Sequence, residues 1–246
     1  MSAEPSAAGT VARLKSRLRA AAPGPAAAWI RLKELARSVH GGGRYLESVF
    51  AAIYRGDLWG EPESVSGPGS SLAETAVIRR ELPALFAELG VRSLLDAPCG
   101  DCYWILRAGL DLETYIGADI VPELIADNAR RLAAPGREFR VLDVTRDTLP
   151  CVDVILCRDC LIHLSFRYIR RALANFKRSG SRYLLTTTYL GLRENHDILT
   201  GQWRPLDLEL PPFGLPAPLQ RIVEKEYTAD GSVLRRGLGL WSLAEI

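Results

Sequence analysis

The stretch Ser93-Leu94-Leu95-Asp96-Ala97-Pro98-Cys99-Gly100-Asp101 runs apolar residues into an acid and then a turn of small residues. A second apolar run, Tyr115-Ile116-Gly117-Ala118, reaches its own acid, Asp119, 19 positions beyond Gly100. A buried strand that ends in such a turn and opens a helix presents N–H groups that lack intrahelical partners, and a negative group can meet them there. Strand, turn, helix, strand and acid in that order is how α/β folds grip the ribose of a nucleotide-like ligand.

The rest of the chain agrees with that reading. From Val91 onward strand-like and helix-like patterns alternate, which predicts a parallel sheet. The expected strands are 91–97, 115–119, 138–143, 152–157 and 183–188. Between them a helix is expected from the first turn to about Ala108, another over Pro122–Leu132, where Pro122 suits a first helical turn, and another from Phe166 to Lys177. Two β segments, 220–227 and 238–243, follow with a turn at Asp230-Gly231. Upstream, Val11–Ala22 and Ala26–Val39 read as short basic helices, and Arg44–Tyr54 places Leu46, Val49, Phe50 and Ile53 on one face. The Gly, Ser and Pro-rich loop Gly56–Ser71 precedes a helix over Leu72–Leu89, and a loop of that length is often a functional lid. The expected organisation is an N-terminal helical extension with a lid loop, 1–71, and an α/β domain, 72–246.

Composition narrows the partners. With 31 Lys and Arg against 29 Asp and Glu, the formal net charge of +2 is too small to point to nucleic acid or an anionic membrane. No apolar run approaches the ~20 residues of a membrane span, and Pro23 and Pro25 break the Ala-rich stretch that would form a signal-peptide core. The five cysteines include two CxxC pairs, Cys99/Cys102 and Cys157/Cys160, which invite a zinc reading. Each pair, however, flanks the end of a buried strand rather than a ligand loop, and an odd cysteine count fits a reducing cytoplasm. No metal is expected, because the fifth strand ends Thr186-Thr187-Thr188-Tyr189 and not in convergent carboxylates.

Four expected strands end in polar or reactive clusters: Asp96 to Cys102, Asp119-Ile120, Asp143-Val144 and Cys157 to Ser165. Ligands of open α/β sheets bind at the carboxyl ends of strands, so one pocket can hold all four. On these residues the chain resembles the class I S-adenosylmethionine (SAM)-dependent methyltransferases. It is similar to a bacterial subgroup whose first motif reads Asp-x-Pro-Cys-Gly-Asp-x-x-Trp, matched by Asp96, Pro98, Cys99, Gly100, Asp101 and Trp104. The Arg-Asp-Cys-Leu-Ile-His-Leu-Ser segment at 158–165 belongs to the same resemblance, which covers about residues 60–246. It implies a Rossmann-like, seven-stranded, mostly parallel sheet with the last strand antiparallel, and SAM as cofactor. It further implies that Asp96 and the turn Ala97, Pro98, Cys99 and Gly100 face the methionine moiety. Asp119 would take the ribose hydroxyls with Ile120 beside the adenine, Asp143 the adenine amino group with Val144 at the ring, and Cys157 and Arg158 would line the cofactor near the methyl.

The chain departs from the usual Gly-x-Gly-x-Gly turn, since Pro98 and Cys102 stand at the first and last glycine positions. Proline has no N–H to donate, which disfavours a nicotinamide cofactor, whose pyrophosphate needs those glycines. Methyl transfer to a hydroxyl benefits from a base near neutrality, and His163, six residues past the fourth strand, is the candidate, the alternative being a structural histidine. Asp159 is expected to orient His163 or bind the acceptor, or else to cap a turn, and Arg158 to pair with Asp159 or another pocket acid. Trp59 and Ser70 are expected to close over the cofactor, with Ser70 and Ser71 also suited to cap the next helix. The Pro-rich segment 191–218 holds Glu194, Asn195, His196, Asp197, Trp203 and Arg204 and reads as an acceptor cap suited to a sugar or polyol, with His196 the second-choice base. The expectation is O-methylation of a small-molecule or saccharide hydroxyl by a cytoplasmic enzyme, compatible with a homodimer. The alternatives are an inactive methyltransferase-like binding or regulatory protein, and N- or C-methylation.

Overall fold

The computed structural model describes Ala36 and residues 44–60, 62–229 and 232–246. The expected helices at Val11–Ala22 and Ala26–Val39, Ala36 apart, and the Asp230-Gly231 turn lie outside the described residues. The described elements, in chain order, are α1 Tyr45–Arg55, α2 Ala76–Leu89, β1 Ser93–Asp96, β2 Thr114–Asp119, α3 Pro122–Leu132, β3 Arg137–Val141, β4 Val154–Cys157, α4 Phe166–Arg178, β5 Tyr183–Leu190, β6 Gln220–Ala229 and β7 Ser232–Ser242.

The strands form one seven-stranded sheet in the order β3-β2-β1-β4-β5-β7-β6. β1 pairs in parallel with β2 and β4, and β4 with β5, whereas β7 runs antiparallel to both β5 and β6. The Rossmann-like sheet with one reversed strand is therefore present as expected. Strand side chains alternate between faces, and the core splits accordingly. Leu95, Ile155 and Leu184 join Tyr45, Leu46, Ile169 and Phe176 on one side; Leu94, Val154, Leu156 and Leu185 join Ile78, Leu82, Phe86 and Ile125 on the other. The edge strand β3 alternates Arg137, Glu138 and Arg140 around Phe139, a charged edge that discourages further strand pairing.

Two expectations are corrected. No α-helix follows β1; the segment makes only a short 3₁₀ turn at Ile105–Arg107. Gly100 and Cys102 take φ of +53° and +58°, and Pro98 brings no N–H, so the chain turns twice before a helix can start. The helix after the lid loop begins at Ala76 rather than Leu72, because residues 71–75 form turns in which the Thr75 hydroxyl donates to the Ser71 carbonyl at 2.8 Å. Among the described residues no helix is long and apolar enough to cross a membrane.

Candidate active site

The carboxyl ends of β1, β2 and β4 and the loop after β3 open into one cleft of about 1110 Å³, counting the space at its mouth. Asp96, Pro98, Cys99, Gly100, Trp104, Asp119, Ile120, Asp143, Val144, Arg158, Asp159, His163, Trp59 and Ser70 all line it.

The turn after β1 is held from three sides. Cys99 N donates to the Ala118 carbonyl at 2.8 Å, which ties the turn to β2. Asn128 on α3, fully buried, donates to the Gly100 carbonyl at 2.7 Å. On the third side Ser66 of the lid loop packs so closely that a β-carbon at Gly100 would stand 2.0 Å from its hydroxyl oxygen. Gly100 is thus required both by its positive φ and by this approach.

Asp101, the second acid of the motif, serves the lid rather than the cleft floor. Its carboxylate accepts from the Ser64 hydroxyl at 2.9 Å and from Val65 N at 3.1 Å, and Asp101 N donates to the Ser66 hydroxyl at 3.2 Å. The loop that carries Trp59 and Ser66 is therefore clipped to the turn after β1.

The two floor carboxylates are electrostatically unusual. Burial pushes the Asp96 carboxyl up to about 7; the Tyr115 hydroxyl, donating at 2.7 Å, works against that, and the neighbouring Asp119 adds to it. Burial also lifts Asp119 to about 6, although Val121 N and Gly100 N donate to it at 3.1 and 3.3 Å. Buried acids of this kind favour a ligand that brings a cation or several hydrogen-bond donors. Asp143 differs, being held by the Thr145 N–H and hydroxyl at 2.9 and 2.7 Å and by Arg146 at 3.1 Å. Ile120, Leu124, Leu142 and Val144 supply apolar walls between these acids.

Arg158 does not stand uncompensated. Its guanidinium bonds Glu224 on β6 at 2.8 Å, lies 3.3 Å from Asp159 and donates to the Gly69 carbonyl of the lid at 2.8 Å. Arg236 on β7 bonds Asp159 at 2.7 Å and lies 3.5 Å from Glu224, so two arginines meet two acids. Burial alone would raise the Asp159 carboxyl, but Arg236 and Arg158 together hold it below its ordinary value. Asp159 also accepts from the Thr187 hydroxyl at 3.2 Å. Its role in the structure is this ion-pair network across β4, β5 and β7.

His163 lies at the cleft with its Nδ1 2.9 Å from the Gln202 carbonyl, and its ring packs on Trp59 with centroids 5.0 Å apart. The short turn that carries it is braced by the segment after β5. Arg204, fully buried, donates to the carbonyls of Leu161, Leu164 and His196 at 3.0, 2.8 and 3.1 Å, and Gly201 N donates to the His163 carbonyl at 2.9 Å. Burial lowers the Arg204 guanidinium to about 9.

That bracing corrects the expectation for residues 191–218. Glu194, Asn195, His196, Asp197, Trp203 and Arg204 do not line the cleft. Asn195 instead bonds the carbonyls of Asp207 and Pro211 at 2.7 and 3.0 Å, Asp197 accepts from Phe166 N at 2.7 Å, and Leu206 and Leu208 are fully buried. The polar residues are used to satisfy an irregular buried backbone, which leaves His196 beside Glu194 at 3.6 Å and away from the cleft. Ala97 and Cys157 are also absent from the lining; both point into the core, Ala97 at 1% and Cys157 at 0% exposure.

The lining includes residues that the sequence reading assigned elsewhere. Leu46, Phe50 and Tyr54 of α1, spaced i, i+4, i+8, face the cleft, while Val49 and Ile53 of the same helix pack on Gly201. Val65, Ser66, Asp101, Ala118, Val121, Thr145, Cys160 and Leu164 also line the cleft. The i+4 stripe was the available signal, since four-residue spacing keeps side chains on one helix face. Among the described residues no three His, Cys, Asp or Glu side chains are grouped as for a metal ion.

No family model and no curated relative matches this chain. Solved structures do. A Burkholderia thailandensis 1,6-didemethyltoxoflavin-N1-methyltransferase, solved with its acceptor and S-adenosylhomocysteine, is similar over 80% of this chain and 86% of its own, with a TM-score of 0.53 and 17% identity. A Leishmania major SAM-dependent methyltransferase is similar over 77% of this chain and 82% of its own, with a TM-score of 0.53 and 16% identity. The magnesium protoporphyrin IX methyltransferase of Synechocystis PCC 6803 covers 80% of this chain and 97% of its own, with a TM-score of 0.51 and 10% identity. The shared fold is that of the Rossmann-like methyltransferases. At these identities the likeness is one of architecture.

Proposed function

We propose that the chain is a SAM-dependent methyltransferase that acts on a hydroxyl of a small molecule, with His163 as general base. The observation that carries this reading is the convergence of Asp96, Asp119, Asp143 and the Gly100 turn with His163 in one cleft at the carboxyl ends of the parallel strands. The fold shared with the methyltransferases named above supports it.

The residues present fit such a donor. Asp119 would hold the ribose hydroxyls, since its carboxylate is pinned by two backbone N–H groups and keeps acceptor capacity. Asp96, a buried acid raised to about 7, would meet the cationic amino-acid end. Ile120 and Val144 would sandwich the purine, with Asp143 at its amino group. A bound SAM would supply an electrophilic methyl whose C–S bonding pair would be left on sulfur as the acceptor oxygen took the carbon, and His163 would accept the hydroxyl proton.

The chain's own contribution is orientation and proton acceptance. The Gln202 carbonyl can only accept, so Nδ1 is the protonated nitrogen, and in the neutral ring Nε2 would be the basic one. Trp59 packs against the ring at a centroid separation of 5.0 Å. Holding an acceptor oxygen in line at ~3 Å supplies much of the rate of such a transfer.

Calorimetry with S-adenosylhomocysteine tests the donor site. The wild-type chain should bind, Asp119→Ala should bind at least 100-fold more weakly, and His163→Ala should keep the affinity while losing turnover. Equal affinity in Asp119→Ala refutes the donor assignment, and unchanged turnover in His163→Ala refutes the base.

A further inference from the structure

Resting on the methyl-transfer reading, we propose that the acceptor is a flat aromatic phenol, held against Trp59 and Phe50 with its hydroxyl at His163, and not a saccharide. Trp59 packs on His163 with centroids 5.0 Å apart and planes at 34°, and Phe50 continues the surface 6.3 Å from Trp59 at 54°. Leu46 and Tyr54 from the same helix flank Phe50 along the cleft, and Leu164 lies beside His163. An acceptor oxygen placed at His163 therefore puts its carbon skeleton on an aromatic and aliphatic wall. Aromatic rings associate with such side chains in tilted or offset geometry at centroid separations of 4.5–7 Å, the same range as these neighbours already show.

The polar groups at this end of the cleft argue against a sugar. A saccharide loses water from several hydroxyls when it enters a cleft, and each needs a replacement partner. Asp159 is engaged by Arg236, Arg158 and Thr187, and Arg158 by Glu224 and the Gly69 carbonyl. Those side chains pair mainly with one another; Arg236 Nε and Glu224 Oε2, 3.5 Å apart, are the two buried atoms of the cluster without a hydrogen bond. The segment with the carbohydrate-like composition, 191–218, spends its polar atoms on its own backbone and on the turn that carries His163.

A phenol also suits the base. A phenolic hydroxyl titrates near 10, close enough to an imidazole for the proton to be taken at neutral pH, whereas an aliphatic alcohol holds its proton far more tightly.

The test is calorimetry on the full chain, with and without saturating S-adenosylhomocysteine, using 2-naphthol, its saturated counterpart decahydro-2-naphthol, and maltose. The expected result is 2-naphthol bound at least tenfold more tightly than the saturated alcohol, and maltose not bound. Trp59→Ala should weaken 2-naphthol about tenfold, and Trp59→Phe should restore most of the loss. The proposal is overturned if the saturated alcohol or maltose binds as well as 2-naphthol, or if Trp59→Ala leaves 2-naphthol unaffected. A chain that binds S-adenosylhomocysteine but prefers maltose loses the aromatic acceptor and keeps the donor site. A chain that holds 2-naphthol on Trp59 but not S-adenosylhomocysteine keeps the acceptor surface and loses the donor reading.

Discussion

Replacing Asp96 by Asn should make the ligand-free protein more stable and the donor site worse. The folded chain holds this carboxyl, 3% exposed, at about 7 against an ordinary 3.8. Because the folded-state value is raised, the folded chain keeps the proton where the unfolded chain has lost it. The stability associated with the protonated acid is complete below about 3.8 and drains away as the pH climbs to about 7. At 1.36 kcal/mol per pH unit, ionising Asp96 costs the folded chain about 4 kcal/mol at most above pH 7. Asparagine carries no charge and still accepts from the Tyr115 hydroxyl, although its amide nitrogen needs a new partner at about 1 kcal/mol. Asp96→Asn should thus exceed the wild type by about 1–3 kcal/mol at pH 8, and the gap should narrow by about 2 kcal/mol at pH 5, where the wild-type acid is largely protonated. Urea unfolding followed by tryptophan fluorescence at both pH values measures this, and the difference between the two proteins removes the contribution of every other titrating group. A gap that does not change with pH, or a variant less stable than the wild type at pH 8, refutes the reasoning. The same variant should bind S-adenosylhomocysteine at least tenfold more weakly.

Three further outcomes are expected. Donor affinity should fall as the pH drops from 8 to 5, since Asp96 and Asp119 take up protons near 7 and 6, and calorimetry in buffers of different ionisation enthalpy should register proton release on binding; a flat profile excludes these acids from the contact. Arg204→Ala should lower unfolding free energy by about 3 kcal/mol, because three buried carbonyls lose a charged donor, and a loss below about 1 kcal/mol in urea unfolding would show that the turn of His163 does not depend on it. Asp101→Ala should raise amide hydrogen exchange at Val65 by about tenfold while leaving the sheet amides unchanged, and unaltered protection at Val65 would remove Asp101 as the clip.

The sheet was legible because its signals are local. Buried runs ending in Asp96, Asp119 and Cys157, with Pro122 opening a helix, follow from periodicity and turn chemistry alone. The segment after β1 misled for a physical reason: helical propensity from Tyr103 to Ala108 lost to a backbone that positive φ at Gly100 and Cys102 had already redirected. Residues 191–218 misled differently. Polar residues near an expected site look like ligand contacts, but an irregular buried segment must satisfy its own carbonyls, and Arg204 and Asn195 do that here. Trp59 and Ser70 lie at the cleft, whereas the cleft-facing position of Tyr54 and the lid clip of Asp101 depend on how α1 and the loop dock, which sequence spacing does not encode.

The brace on His163 also decides which parts of this chain can be re-engineered. Loop exchange within 191–218 would withdraw Arg204 and the Gly201 and Gln202 backbone from the turn that carries His163. Libraries aimed at the proposed acceptor should instead vary Phe50 and Tyr54, which face the cleft from α1. Diversity and robustness are thus assigned to opposite sides of one histidine.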